Sequence, residues 1–311
     1  MSLAREALAN SNNDVERALS WLERHMSASA AKAAKVSGRS TNEGTIAVSL
    51  LSEKRVSMIH LGCETDFVAR NDVFLNTAKG VAGTAAFLDV PTEGEPAKPK
   101  IGQDPILTFS PAALLNAPLI ALPGADTDVA PIPSGDPTTI QQSLLSALGS
   151  TGENLKLLRA VTFAAPFPST PEIRYVPGCY AHGGRSDTEG RVAAITVLAA
   201  TSLEVEKPIA SLIHGPNGSE LETDLSKLAR TLSRQVVGFP TRAISRKDAG
   251  AKEMDEGEVL LEQSFMMMGE ERKVGEVLAE WGSERGIKVD VVGIRRWAVG
   301  DAIASDNAES P

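Results

Sequence analysis

The segment from residue 64 to residue 71 holds the densest group of chemically distinctive side chains in the sequence. It reads Glu-Thr-Asp-Phe-Val-Ala-Arg-Asn, so an aromatic ring lies between a carboxylate and a guanidinium. If Asp66 and Phe67 protrude, the ring can enter a pocket of a partner protein while the carboxylate competes there for donors or a cation. The alternative is structural. Phe67 then anchors a turn in the core, Asp66 or Asn71 caps a helix, and Arg70 is solvated. The residues themselves leave both interpretations open.

The sequence lacks the motifs of covalent and phosphate-binding chemistry. It contains no GxxxxGK[ST] loop, no GxGxxG after a strand, no GxSxG and no HExxH. Four histidines without metal-ligand spacing and only two cysteines do not make a zinc site. A hydrolase triad can be drawn from Ser186, His182 and Asp187, but residues so close on one turn do not easily align as nucleophile, base and orienting acid. We therefore expect no enzyme, no cofactor and no metal.

The composition restricts the class of partner. The chain of 311 residues has a net charge of −9 and only 4% aromatic residues, whereas nucleic-acid binding needs a basic surface. The same charge disfavours a polybasic membrane binder, and no apolar run reaches the ~18 residues of a membrane span. Cys63 and Cys179 are too few for a disulfide framework. The N-terminal residues resemble neither a secretory signal nor an Arg-rich transit peptide. We expect binding to neither nucleic acid nor membrane.

Hydrophobic periodicity places a small helical unit at the N-terminus. A short helix over residues 3–8 is followed by Asn13 or Asp14 as the cap of the next helix. The second helix carries an amphipathic stripe, with its apolar residues at the spacing of one helix face. That stripe consists of Val15, Ala18, Leu19, Leu22 and Met26. Residues 27–37 are predicted to form a third helix or a helical linker.

The remaining chain predicts an α+β fold. A hairpin over residues 45–61 precedes the segment at 64–71 and a helix with one apolar face, and hairpin-then-helix patterns recur in the second half. The predicted elements there are strands at 155–163, 175–182 and 192–200, helices at 220–237 and 274–281, and a last strand or strand pair at 287–299. Residues 91–137 hold ten of the 18 prolines, which predicts an irregular insertion with one helical turn at 112–115, followed by a helix at 138–148 closed by Gly149.

These patterns predict a domain division. It consists of an N-terminal helical module at 1–38, a first α+β subdomain with an antiparallel sheet at 39–150, a second at 151–304, and a disordered tail at 305–311. Segment 241–257 is predicted to be a solvated connection.

Several segments together resemble translation elongation factor Ts. The run Thr-Asp-Phe-Val-Ala-Arg-Asn after a Gly-Cys-Glu strand end looks like the signature of that family. Other segments match in the same order. They are residues 7–18 (its ubiquitin-associated-like helix pair), 33–39 and 42–44 (its linker), 152–159 (the opening strand of its second subdomain), 180–185 (its histidine-bearing turn) and 295–301 (its closing strand).

The resemblance implies a guanine nucleotide exchange factor for elongation factor Tu, bound in its GDP or nucleotide-free form. It assigns one role to four residues, that of a wedge that disturbs the Mg²⁺ site of the GTPase: Thr65, Asp66, Phe67 and Val68. It assigns secondary partner contacts to Arg70, Asn71, His182 and Gly183, with His182 near the phosphate loop of the partner. The alternative for His182 is a structural role, in which its polar atoms are satisfied within the turn. The N-terminal helices would grip the GTPase.

The departures from the family pattern indicate where the protein works. A short segment after Gly238 replaces the helical excursion of many bacterial members, and the Pro-rich insertion is extra. These features look more like a mitochondrial matrix protein, from a fungus, than one of the bacterial cytoplasm. Two other functions stay open from the sequence: a ubiquitin-associated-type adaptor without exchange activity, and the hydrolase.

Overall fold

The N-terminal unit consists of two helices. The computed structural model describes residues 3–90, 103–120, 138–167, 170–204, 206–266 and 272–303. Helix α1 spans Leu3–Asn10 and α2 spans Val15–Val36, so the Ala-rich segment continues α2 and does not form a separate helix. Asp14 caps α2 by accepting the Arg17 N–H at 3.0 Å. Of the predicted stripe, Ala18 is buried and Leu22 half-buried, while Val15 and Leu19 are exposed; the Met26 side chain lies outside the description.

The first sheet is antiparallel and has five strands in the order β3-β4-β2-β1-β6. Their bounds are β1 Glu43–Leu51, β2 Arg55–Cys63, β3 Leu107–Phe109, β4 Lys156–Ala164 and β6 Glu189–Gly190. The predicted hairpin is confirmed as β1 and β2. In its tight turn Ser52 has φ 48° and Glu53 has φ 55°. This left-handed backbone geometry matches the right-handed twist of the two strands that a β-hairpin turn connects.

Four helices accompany the first sheet. They are α3 Asp66–Ala69, α4 Asp72–Phe87, α5 Pro111–Leu115 and α6 Ile140–Thr151. The predicted apolar face of α4 is confirmed, and its residues are fully buried: Phe74, Ala78, Val81, Ala82 and Ala85. The predicted end of α6 at Gly149 is wrong, because the helix continues to Thr151 and Gly152 closes it at φ 76°, a left-handed conformation that costs glycine little.

The second sheet has three antiparallel strands in the order β5-β7-β8. They are β5 Arg174–His182, β7 Val192–Ser202 and β8 Ile287–Ala298, so the last predicted element is one strand and not a pair. The helices of this half are α7 Ile209–Ile213, α8 Gly218–Gly238 and α9 Val274–Ser283. The apolar faces of α8 and α9 pack with one face of this sheet in a common core.

The two sheets pack face to face, and helices cover their outer faces. Ile46, Met58 and Phe163 of the first sheet share a core with Ile195 and Trp297 of the second. This architecture confirms the α+β class. The sheets do not follow chain order, however, because β4 pairs with β2 although its residues were assigned to the second half. The short strand β6 likewise leaves the second half and pairs with β1.

Two loop predictions need correction. Within the Pro-rich insertion, the predicted helical turn is confirmed as α5, but β3 is a regular strand that pairs with β4. Residues 91–102 and 121–137 lie outside the described part, as does the tail at 305–311. Segment 241–257 is not merely solvated, because Ala243 and Ala251 are buried together with Val259 in a small cluster. Among the described helices, none is long and apolar enough to cross a membrane.

Candidate functional site

The segment at 64–71 forms a short helical turn with one buried and one exposed apolar residue. Thr65 caps α3, its hydroxyl accepting the Val68 N–H at 3.4 Å and its carbonyl the Ala69 N–H at 3.1 Å. Val68 is only 9% exposed and anchors the turn, whereas the Phe67 side chain is 84% exposed. The interpretation of Phe67 as a core anchor is therefore wrong, and that role belongs to its neighbour.

The charged residues of the turn lie at its surface. The Arg70 guanidinium is 3.3 Å from the Asp66 carboxylate, and the Arg70 side chain is 78% exposed, whereas that of Asp66 is 47% exposed. Asn71 caps α4 by accepting the Val73 N–H at 2.8 Å, as one structural interpretation expected. Asp66 is left in the first turn of α3, where a carboxylate is favoured by the positive end of the helix dipole.

A pair of carboxylates holds the base of the turn. Glu153 accepts the backbone N–H groups of Glu64 and Thr65 at 3.0 Å each, and the Thr65 hydroxyl at 2.5 Å. In return, the Glu64 carboxylate accepts the Asn154 N–H at 2.7 Å. Sequence reasoning gave Glu153 and Asn154 no role, because 88 residues separate Thr65 from Glu153 and the pairing of β4 with β2 brings them together.

The histidine-bearing turn begins where β5 ends. His182 is exposed and stacks on Tyr180 with ring centroids 6.5 Å apart, and Gly183 adopts φ 81°. The Glu189 carboxylate, buried beneath the turn, accepts the backbone N–H of Arg185 at 3.0 Å. The sequence gave no signal for Glu189, since an acid among polar turn residues reads as exposed.

The side chains considered for a hydrolase triad are engaged elsewhere. The Ser186 hydroxyl is 2.9 Å from the Thr188 hydroxyl, and Asp187 forms a salt bridge with Arg230. His182 stacks on a tyrosine ring and is not oriented by Asp187. Burial also raises the pKa of the Cys63 thiol to about 12, which removes it as a nucleophile. Across the described ranges, no three His, Cys, Asp or Glu side chains group as a metal site.

A shallow cleft joins the two turns on one face of the molecule. Its volume is about 330 Å³, and its walls include Asp66, Ala69 and Arg70 on one side and Gly183 and Arg185 on the other. Phe67 belongs to the same short helix as Asp66 and Ala69. The structure thus brings the segment at 64–71 and the turn after β5 into one surface, although more than 100 residues separate them in the sequence. Such a surface can contact another macromolecule.

Comparison with known proteins identifies the family of the chain. No protein-family model matches the chain. The protein named mitochondrial elongation factor Ts in Cryptococcus neoformans var. neoformans serotype D is 60% identical over the whole chain and 85% of its own length. Its namesake in Coprinopsis cinerea is 36% identical over 97% of the chain and 87% of its own length. One of two such proteins in Postia placenta is 35% identical over 96% of the chain and 88% of its own length. None of these names supports the adaptor alternative. The chain therefore belongs to the mitochondrial elongation factor Ts family, the guanine nucleotide exchange factors of elongation factor Tu in translation elongation.

Proposed function

We propose that this protein accelerates GDP release from elongation factor Tu by pressing the turn at Thr65–Val68 against the Mg²⁺ site of the GTPase. The observation that carries the proposal is the 84% exposure of Phe67 on a turn whose base is fixed by Glu153. An exposed phenyl ring gains free energy when a partner buries it, and aromatic residues are frequent anchors of interfaces. The fixed base lets the ring enter a pocket without first ordering its backbone.

The four residues of the proposed wedge have different tasks. Val68 is buried and Thr65 is engaged with Glu153 and the α3 backbone, so these two shape the turn. Asp66 and Phe67 are the two that reach the partner. The ring displaces neighbouring side chains, while the carboxylate competes for donors and for the cation. Because Mg²⁺ bridges the nucleotide phosphates to the protein, its displacement weakens GDP binding.

The secondary contacts fit the same surface. His182 and Gly183 lie on the exposed turn across the cleft, where they approach the phosphate loop of the GTPase. Arg70 pairs with Asp66 and can exchange that partner for one on the GTPase. Asn71 acts through the start of α4, since its side chain caps that helix.

The helical module provides a separate grip. Residues 1–38 form a ubiquitin-associated-like module that contacts the GTPase, supported by the exposure of Val15 and Leu19 one helical turn apart on α2. The core is divided at 150/151 into two functional halves, 39–150 with the wedge and 151–304 with the histidine turn, and the tail at 305–311 takes no part. The shared first sheet joins these halves mechanically.

The proposed reaction needs no covalent chemistry and no cofactor. The protein and GDP bind the same GTPase, and each lowers the affinity of the GTPase for the other by the same ratio, as linkage requires. It binds the GDP form, promotes dissociation and remains on the nucleotide-free form until a new nucleotide displaces it. Its partner is thus another protein and neither nucleic acid nor a membrane, which agrees with the acidic composition.

The test compares two exposed phenylalanines. Release of a fluorescent GDP analogue from elongation factor Tu is followed by stopped flow with wild type, Phe67→Ala and Phe167→Ala. Phe167 is 99% exposed and lies far along the chain from the wedge, which makes it a matched control. We expect wild type and the control to accelerate release equally. Phe67→Ala should lose at least about tenfold in maximal rate, because removing the ring reduces the coupling energy by which the bound factor weakens GDP binding. Equal rates for all three proteins would show that Phe67 is not the wedge.

A further inference from the structure

We propose that Arg185 is a positioning residue that braces the wedge turn against the histidine turn. The inference rests on the proposed role of Phe67. It assigns a role to a second residue, which acts without contacting the nucleotide and without needing to contact the GTPase. Arg185 follows Gly184 in the turn after β5, and its side chain extends across the cleft to the segment at 64–72.

The guanidinium of Arg185 holds two elements at their junction. One terminal nitrogen pairs with the carboxylate of Asp72, the first residue of α4. The other donates to the carbonyl oxygen of Arg70, the C-cap of α3. That carbonyl is one of the acceptors a helix leaves unsatisfied at its end. The planar fork of arginine can serve both acceptors at once, whereas the single ammonium of a lysine is a point charge on a flexible stem.

The backbone that carries Arg185 is itself fixed. The Glu189 carboxylate, 1% exposed, accepts the N–H groups of Arg185 and Ser186 at 3.0 Å each. Lys79 of α4 lies 3.9 Å from the same carboxylate. A Cβ at Gly184 would lie 2.1 Å from the Glu189 carbonyl oxygen, so the chain passes in direct contact with the residue that holds it.

The same loop is also attached to the first sheet. Strand β6 pairs with β1, the Val48 N–H donates to the Thr188 carbonyl at 2.8 Å, and Arg191 forms a salt bridge with Glu43 at 2.7 Å. The brace therefore starts from a loop anchored on both sheets. Arg185 extends that order to the C-terminal end of α3, whereas Glu153 bonds the residues at its start.

The expected effect is local. The side chains of Arg185 and Asp72 are 58% and 78% exposed, and such surface pairs contribute little to global stability. What the brace changes is the fraction of molecules in which the wedge has its binding geometry. A lower competent fraction raises the concentration needed for binding by the same ratio and leaves the bound complex unaltered. Arg185 should therefore affect half-saturation, whereas Phe67 affects the maximal rate.

The experiment measures GDP release from elongation factor Tu as a function of factor concentration. For Arg185→Ala we expect the half-saturating concentration to rise about threefold to tenfold, with the maximal rate within about twofold of wild type. Arg185→Lys should recover less than half of the loss, since it cannot serve both acceptors. Arg230→Ala is the control: this arginine is paired with Asp187 of the same turn, is 55% exposed, and should behave as wild type.

Hydrogen exchange supplies the readout that a general loss of stability would not reproduce. In Arg185→Ala the amides of 66–71 should exchange faster, while those of α8 keep their wild-type protection. Full recovery by Arg185→Lys, unchanged half-saturation in Arg185→Ala, or equal loss of protection in α8 would each overturn the brace. If wild type itself fails to accelerate release, the proposed function is wrong. If wild type works and Arg185→Ala matches it, only the brace is wrong.

Discussion

Two adjacent residues of the segment at 64–71 lie in opposite environments. Val68 is buried in the core with Phe74 and Leu75, whereas the larger and more hydrophobic Phe67 is left in solvent. Hydrophobic burial would favour the opposite arrangement, since a phenyl ring gains more from leaving water than an isopropyl group does. The turn thus carries a local conflict, which burial of the ring against a partner would resolve.

The free energy of unfolding should separate these two residues. Val68→Ala removes two buried methyl groups and is expected to lower it by about 1.5–2.5 kcal/mol. Phe67→Ala removes solvent-exposed surface and should change it by less than about 0.5 kcal/mol. Urea denaturation followed by circular dichroism measures both. A larger loss for Phe67→Ala than for Val68→Ala would contradict the orientation of the turn.

At this scale the sequence predicted the segment and its two interpretations, but not the residues that hold it. The run at 64–71 is conspicuous because of its own composition. Glu153, Glu189 and Arg185 are unremarkable in their local sequence. Glu153 and Arg185 form hydrogen bonds with residues about 90 to 115 positions away. Glu189 binds the backbone of its own turn, whose geometry no sequence periodicity predicts. Long-range polar contacts of this kind depend on strand pairing and so cannot be inferred from spacing.

At the scale of secondary-structure elements, the contact of α8 with the second sheet is unusually close. Gly178 on β5 faces the backbone of Ala229 on α8, and a Cβ at Gly178 would lie 2.4 Å from the Ala229 carbonyl carbon. The Thr196 hydroxyl on β7 donates to the Ala229 carbonyl oxygen at 2.9 Å. Helix and sheet therefore meet through backbone and not through large side chains. Only glycine at 178 permits this distance.

Gly178→Ala should consequently force α8 away from the sheet. We expect the free energy of unfolding to fall by about 1–3 kcal/mol, the usual range for overpacking a well-packed core. Gly257→Ala is the control, since a Cβ there would meet nothing within 4 Å and its backbone lies outside the left-handed region. Thermal or urea unfolding of the two variants measures the difference. Equal stability of both would mean that the contact is not as tight as described.

Elements with strong periodicity were predictable, and those held by tertiary contacts were not. The inner faces of α4 and α8 repeat at helical spacing, so their positions and buried residues followed from the sequence. Strand β3 was missed because it is three residues long, lies among prolines, and gains its hydrogen bonds only from β4. The buried cluster around Ala251 was missed for a similar reason: short 3₁₀ turns carry no detectable period.

At the scale of the whole molecule, the two sheets enclose a polar group at one end of their shared core. His60 lies on the same face of β2 as Met58, is 3% exposed, and its Nδ1 has no hydrogen-bond partner in the part of the chain that the structure describes. Its cross-strand neighbour on β4 is Arg159, which stacks on Trp297 at 4.3 Å and lies 3.7 Å from Asp301. The α+β class followed from the sequence, but this enclosure did not, because it requires the sheets to pack on each other.

The enclosed histidine should make the fold sensitive to acid. The pKa of His60 is lowered from 6.5 to about 4, mainly by burial and also by the positive charge of Arg159, while Asp301 acts in the opposite direction. Above pH 6.5 the imidazole is neutral in both the folded and the unfolded chain, so its titration does not change the free energy of unfolding. As the pH falls from 6.5 to 4, the unfolded chain binds a proton that the folded chain resists. Stability is therefore lost in that window, by about 3 kcal/mol from this residue.

Urea denaturation at pH 7 and pH 4 measures this contribution as a difference between variants. His60→Leu removes the titrating group and fills the site with an apolar side chain, so its loss of unfolding free energy between the two pH values should be about 3 kcal/mol smaller than that of wild type. His182→Leu, the same substitution at an exposed histidine, is the matched control for the chemical change itself. Comparing losses and not absolute stabilities cancels any effect of the substitution on packing. If all three proteins lose the same free energy, the acid sensitivity comes from other groups and the two sheets admit a charged His60 without penalty.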